Sequence, residues 1–245
     1  MDIYLPENDS SVARPTIVFF HGGAFFFDNK ESPSIVKWCE SFASRGYVAV
    51  SVNYRLELRL GKMKMMEVEN NAISDAMAAI LFLKEKREVY SIDIENLFLA
   101  GTSAGAMIAL QIPFVCQQCG CTVRAVANMW GAMPDTSRIL RNYPPVISFH
   151  GGSDTTVPAD YNYSFYNKRM VGLLSKWLTN KKYGSIPIHQ KLNELKIRNQ
   201  FYYFPSLKHK LHWDKRHKKE NEYFYFIDDK ITSFFLESMK VDDCH

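Results

Sequence analysis

The sequence predicts an α/β fold in which a mostly parallel central sheet carries helices on both faces, within one domain over residues 1–245. Two observations carry that expectation. Short apolar, β-branched runs alternate with longer helical patterns along the chain, as βα repeats require. No internal repeat, low-complexity tract or linker divides the sequence, so one domain is the simplest account.

Taken in order, Thr16-Ile17-Val18-Phe19-Phe20 reads as a buried strand that stops at the turn His21-Gly22-Gly23. Residues 33–44 follow as a helix, with Ile35, Trp38, Cys39 and Phe42 spaced for one face and Gly46 as its stop. The run Tyr47-Val48-Ala49-Val50-Ser51-Val52 is the next strand. After the basic, Met-rich stretch 62–66, residues 67–86 form the best helical pattern, with Ala72, Ile73, Ala76, Ala79, Ile80 and Leu83 as its apolar stripe. Leu97-Phe98-Leu99-Ala100 is a strand that runs into Gly101-Thr102-Ser103-Ala104-Gly105, and residues 104–117 continue as a small-residue helix that Pro113 interrupts or kinks. Residues 125–129 and 146–149 are two further strands, and the second leads into His150-Gly151-Gly152-Ser153-Asp154. Residues 161–199 read as largely helical with a break at 183–187, and contribute Tyr163, Phe165, Tyr166 and Trp177 to a wall or lid. A strand over 200–204 and an amphipathic helix over 222–239 complete the chain.

Composition bounds the function classes. Apolar residues make up 47% and charged residues 23%, a soluble globular mix that supports a core without disulfides or a structural metal. The net charge of +4 is mild, and much of the basic excess lies over 208–219, so nothing demands a nucleic-acid partner. No apolar run approaches the roughly 18 residues of a membrane span. Residues 1–6 carry no legible leader, which makes the cytoplasm the default location, with secretion or a periplasmic location open if the N-terminus is truncated. Cys116, Cys119 and Cys121 contain a Cys-x-x-Cys pair, but no second pair or nearby His supplies a fourth ligand, so they read as thiols and no metal is expected.

A serine hydroxyl is a poor nucleophile until a base takes its proton and fixed donors receive the oxyanion. The G-x-S-x-G pattern at 101–105, set between a strand and a helix, would lift Ser103 above the sheet on a sharp turn. The turn His21-Gly22-Gly23-Ala24-Phe25 can aim backbone N–H groups at a substrate oxygen. Asp154, just past a strand end, can hold an imidazole in one tautomer, with Asp160 and Asp135 as rivals or a plain turn residue as the alternative. His209, after the last strand, is placed in chain order to serve as the base, with His212 and His217 as competitors.

These motifs together resemble the α/β-hydrolase superfamily, and within it the H-G-G-G carboxylesterases, which include hormone-sensitive-lipase-like esterases and compact bacterial acetyl-xylan and feruloyl esterase relatives. The resemblance extends to Asp2-Ile3-Tyr4-Leu5-Pro6, Asn53-Tyr54-Arg55, Ser74-Asp75-Ala76 and Tyr90-Ser91-Ile92-Asp93, and so covers nearly the whole chain. It implies an α/β-hydrolase fold, with the sequence starting at what resembles the second family strand, so that the first edge strand is the one open to question. It further implies Ser103 as nucleophile, Asp154 as acid and His209 as base, with the N–H groups of Gly23, Ala24 and Ala104 as the oxyanion hole and Gly22 shaping the turn. No cofactor is implied. Ala24 departs from the last Gly of H-G-G-G and narrows the turn, and Lys210 follows His209 where a small residue is commoner.

The function so implied is hydrolysis of short-chain acyl or polysaccharide-linked esters through an acyl-enzyme, so the partner is a small or carbohydrate-linked ester. A serine peptidase of the same fold and a non-catalytic binding protein on that fold are the alternatives. Oligomeric state is not legible in the sequence.

Overall fold

Every side chain from Ile17 to Phe20 is buried, and alternate ones face opposite sides of the sheet. Ile17 and Phe19 pack with Trp38, Phe42, Ile231 and Phe235 on one face. Val18 and Phe20 pack with Ala72, Ala76, Ile108 and Val126 on the other. A strand covered on both sides has no polar face to show, which explains the unbroken apolar run in the sequence.

The computed structural model describes residues 1–7, 13–57, 62–162, 182–209, 211–214 and 219–240. Strands β1 (Asp2–Tyr4), β2 (Arg14–Phe20), β3 (Val48–Val52), β4 (Ile92–Thr102), β5 (Ala125–Met129) and β6 (Val146–Gly151) belong to the main sheet. Strands β7 (Tyr161–Asn162) and β8 (Lys182–Tyr183) pair apart from it, and β9 (Asn199–Phe204) completes it. The order across the seven strands is β1-β3-β2-β4-β5-β6-β9, with β1 antiparallel at one edge and every other pairing parallel. A short hairpin of β10 (Trp213–Asp214) and β11 (Lys219–Glu220) follows.

Helix α1 (Pro33–Ala43) and the last helix, α5 (Glu222–Lys240), cover one face. Helices α2 (Lys62–Glu85), α3 (Ala104–Cys116) and α4 (Ser185–Glu194) cover the other. The expected α/β architecture, with helices on both faces of a mostly parallel sheet, is the one observed. Among the described residues no helix is long and apolar enough to cross a membrane.

Five local expectations change. The Met-rich stretch 62–66 is the first part of α2 rather than a lead-in to it. Strand β4 starts at Ile92, and a register shift between its pairings to Pro15 and Thr16 absorbs residues 94–96. Pro113 lies inside α3, which runs on to Cys116. The break expected over 183–187 ends earlier, because Ser185 opens α4 and Pro187 sits in its first turn, where a missing N–H breaks no helical bond. The helical reading of 161–199 is replaced at its ends by paired β7 and β8 and by β9, while its lid residues Tyr163, Phe165, Tyr166 and Trp177 lie outside the described residues.

Candidate active site

Strands β2, β4, β6 and β9 run parallel, so the turns that follow their C-terminal ends gather at one edge of the sheet. Those four turns hold His21–Ala24, Ser103, Asp154 and His209.

Ser103 joins β4 to α3 directly, at φ 54° and ψ −117°. A side chain in that region stores about 1–3 kcal/mol of strain and persists only where its surroundings fix it. Here the Ser103 N–H donates to the Met129 carbonyl at 2.9 Å, and the Ser103 carbonyl accepts from Met107 N–H at 3.1 Å. Gly105 permits the packing behind the turn, since a Cβ there would lie 2.0 Å from the Phe20 carbonyl oxygen.

The β2 turn meets this elbow at Gly22, where an added Cβ would stand 3.5 Å from that of Ser103. Gly23, Ala24 and Phe25 all have positive φ, at 102°, 55° and 66°. The Gly23 carbonyl ties the turn by accepting from the N–H groups of Phe26 and Phe27 at 3.0 and 3.1 Å. Tyr54 holds it from below, its hydroxyl 2.7 Å from the His21 carbonyl and 3.1 Å from that of Gly22. The His21 ring Nδ1–H donates to the Gly22 carbonyl at 2.7 Å, and burial lowers its pKa, which keeps the ring neutral. Among the described residues, no acceptor takes the backbone N–H of Gly23, Ala24 or Ala104. Ala104 directly follows Ser103 at the N-terminal end of α3, where a backbone N–H suits a developing negative charge.

His209 Nε2 lies 2.9 Å from Ser103 Oγ, and its Nδ1 lies 2.6 Å from Asp154 Oδ2. An ionised carboxylate only accepts, so Nδ1 carries the ring proton and Nε2 offers its lone pair to the Ser103 hydroxyl. Burial by itself would raise the Asp154 pKa. Hydrogen bonds from His150 and His209, the charge of His209 and the Val157 amide outweigh it and hold the carboxyl well below the usual range. Asp154 Oδ1 accepts from the N–H groups of Thr156 and Val157 at 2.8 and 3.0 Å.

The acid and base loops are stitched together. Gly152 N–H donates to the Phe204 carbonyl at 2.7 Å and Ser153 N–H to the Leu207 carbonyl at 3.0 Å. Gly151 is required by this approach, because a Cβ there would fall 2.3 Å from the Leu207 carbonyl oxygen.

The rival residues sit elsewhere. His212 is buried between two indoles, its ring 4.7 Å from that of Trp38 and 4.8 Å from that of Trp130. Asp135 accepts from Ser137 at the start of a short 3-10 turn. Asp160 is exposed in the turn before β7, and His217 lies outside the described residues. Cys116 and Cys121 are buried and Cys119 is exposed, all as free thiols. Sequence reasoning gave no role to Tyr54, to Trp130 (edge-on to His209 at 6.4 Å) or to the polar cluster around His150. The Asn53-Tyr54-Arg55 and Ser74-Asp75-Ala76 motifs were visible signals, and their Arg55 and Asp75 pair at 2.8 Å to fix the loop that carries Tyr54.

Comparison with known proteins follows the same lines. The BD-FAE family model matches residues 1–119. The neuroligin-like protein glit-1 of Caenorhabditis elegans is 34% identical over 111 residues, which are 43% of this chain and 14% of that protein. Tuliposide B-converting enzyme 1 of Tulipa gesneriana is 34% identical over 119 residues, 45% of this chain and 26% of the enzyme. Thermogutta terrifontis esterase 2 phosphorylated by paraoxon is similar in structure, with a TM-score of 0.70 at 19% identity over 96% of this chain and 87% of that one. The chain shares the α/β-hydrolase fold of that esterase. The family match includes the β2 turn and Ser103 but stops short of Asp154 and His209, which reach the elbow through the parallel order β4-β5-β6-β9.

Proposed function

We propose that the chain is a serine carboxylesterase that hydrolyses short-chain acyl or polysaccharide-linked esters through an acyl-enzyme on Ser103. The observation that carries this reading is the continuous relay from Ser103 Oγ to His209 at 2.9 Å and on to Asp154 at 2.6 Å. The names of the tulip enzyme, similar in sequence, and of the Thermogutta esterase, similar in structure, agree with it.

As Ser103 Oγ attacks the ester carbonyl, His209 Nε2 takes its proton, and the Asp154 carboxylate stabilises the imidazolium without accepting that proton. The carbonyl oxygen becomes an oxyanion facing the N–H groups of Gly23, Ala24 and Ala104, where one such donor is worth about 2.7–4 kcal/mol. His209 then protonates the leaving alcohol. Water attacks the acyl-enzyme through the same base and frees the acid. Beside the donor turn, the exposed rings of Phe26 and Phe27, 4.8 Å apart, provide an apolar rim suited to a short acyl or aryl group.

The test is hydrolysis of acetyl, butyryl and feruloyl esters by the chain and by Ser103→Ala. Ser103-dependent turnover together with fluorophosphonate labelling at Ser103 supports the proposal. Equal rates for the two proteins end it.

A further inference from the structure

We propose that His150 is a positioning residue for the acid of the triad: a neutral ring, protonated on Nε2, that holds Asp154 and its turn in place and is itself clamped by Ser185 and Asn128. This rests on the esterase reading of Ser103, Asp154 and His209. His150 is the penultimate residue of β6, four residues before Asp154, and is wholly buried.

The partners of the ring assign its protons. Nε2 lies 2.8 Å from the Val157 carbonyl oxygen, which can only accept, so Nε2 carries a hydrogen. The same Nε2 is 3.5 Å from Asp154 Oδ2, the oxygen that receives His209. On the other side, Nδ1 is 2.7 Å from Ser185 Oγ. Asn128 settles the direction of that contact. Its Oδ1 accepts from Gly131 N–H at 3.0 Å, which leaves Nδ2 to donate to Ser185 Oγ at 3.1 Å and to Ser148 Oγ at 3.2 Å. Asn128 thus fills one lone pair of Ser185 Oγ and cannot take its hydrogen, and with the proton of the neutral ring on Nε2 that hydrogen goes to a bare Nδ1. A protonated Nδ1 would strip that buried hydroxyl of its acceptor, at a cost of about 1–3 kcal/mol.

The consequence is mechanical. Asp154 Oδ1 is fixed by two amides of the 154–157 turn, and His150 fixes the Val157 carbonyl at the end of that turn. The ring also fills the space behind Oδ2. His209 therefore meets a carboxylate that cannot swing away, and a displacement of about 1 Å at such a contact can cost on the order of 100-fold in rate.

Three variants of the full chain test this: His150→Phe, which keeps volume and removes both nitrogens; His150→Gln, which restores a donor; and Ser185→Ala. The expected result with p-nitrophenyl butyrate is a kcat loss of about 10- to 100-fold for His150→Phe with KM changed by less than about 2-fold, partial recovery in His150→Gln, and a smaller loss in Ser185→Ala. Wild-type kcat in a folded His150→Phe protein overturns the proposal, as does a folded His150→Gln protein no better than His150→Phe. If His150→Phe does not fold, Ser185→Ala decides, and unchanged kcat there overturns the clamp. Imidazole 15N shifts of the wild-type chain give a readout independent of turnover. Protonated Nε2 with bare Nδ1 on His150 is expected, and any other state overturns the assignment even where the esterase reading stands. Absence of Ser103-dependent turnover in the wild-type chain instead overturns the esterase reading.

Discussion

The phenol ring of Tyr54 lies on the imidazole of His21, centroids 4.3 Å apart at 11°, and its hydroxyl donates to the His21 carbonyl at 2.7 Å. Tyr54, two residues past the end of β3, thereby holds the turn after β2 from which two of the proposed oxyanion donors project. Burial raises the Tyr54 pKa well above its ordinary value, so the hydroxyl keeps its proton and remains a donor at any working pH.

Tyr54→Phe removes that donor and leaves the ring stack in place. Two buried carbonyls lose a partner, so stability is expected to fall by about 1–3 kcal/mol. Ester turnover is expected to fall about 10-fold in kcat with KM little changed, because the donor turn acts on the transition state. Denaturant midpoints and steady-state kinetics check both, and an unchanged kcat would detach Tyr54 from the chemistry.

Ala24 sits at φ 55°, where a Cβ costs about 1–2 kcal/mol, part of which glycine returns through the greater freedom of the unfolded chain. Ala24→Gly is therefore expected to stabilise the chain by up to about 1 kcal/mol with kcat equal or higher. A loss of stability in thermal melts would show that the Ala24 methyl makes a packing contribution larger than its strain.

The choice of base is tested by a pair of substitutions. His209→Phe is expected to lower kcat by about 10³-fold or more. His212→Phe keeps a ring between Trp38 and Trp130 and is expected to retain most of kcat while shifting stability. The reverse pattern in a p-nitrophenyl ester assay would make His212 the base.

Asp154 governs the acid side of the stability curve. Its folded pKa lies below the unfolded value of about 3.9, so its stabilisation is complete at pH values well above that and disappears as pH falls through the folded value. Asp154→Asn is expected to be less stable than wild type at pH 7 and to approach it as pH drops below about 4. Turnover at pH 7 is expected to fall by about 10⁴-fold, since the amide disturbs the His209 tautomer. A stability gap that does not narrow on acidification would contradict the depressed carboxyl.

Much of the fold was legible because the physics is local. The run from Ile17 to Phe20, the stripe from Ala72 to Leu83 and the last amphipathic helix each declare their burial by periodicity. The misread positions are those where context overrides the local signal. Pro187 falls in the first turn of α4 and so does not prolong the break before it, and β4 carries an irregularity that hides its start at Ile92. The site divides similarly. Ser103, Asp154 and His209 follow strands in the expected order, and order is a property of sequence.

By itself the sequence determined an α/β chain with a strand-to-helix elbow at Ser103 and glycine-rich turns at 21–24 and 150–154, because strand period, helix period and turn chemistry are written in neighbouring residues. Only the tertiary structure decided that His209 rather than His212 faces Ser103, that Tyr54 braces the turn after β2, and that His150, Ser185 and Asn128 stand behind Asp154. Those are contacts between residues from 33 to 106 positions apart, closed by parallel strand pairing and buried polar satisfaction, and no local pattern specifies them.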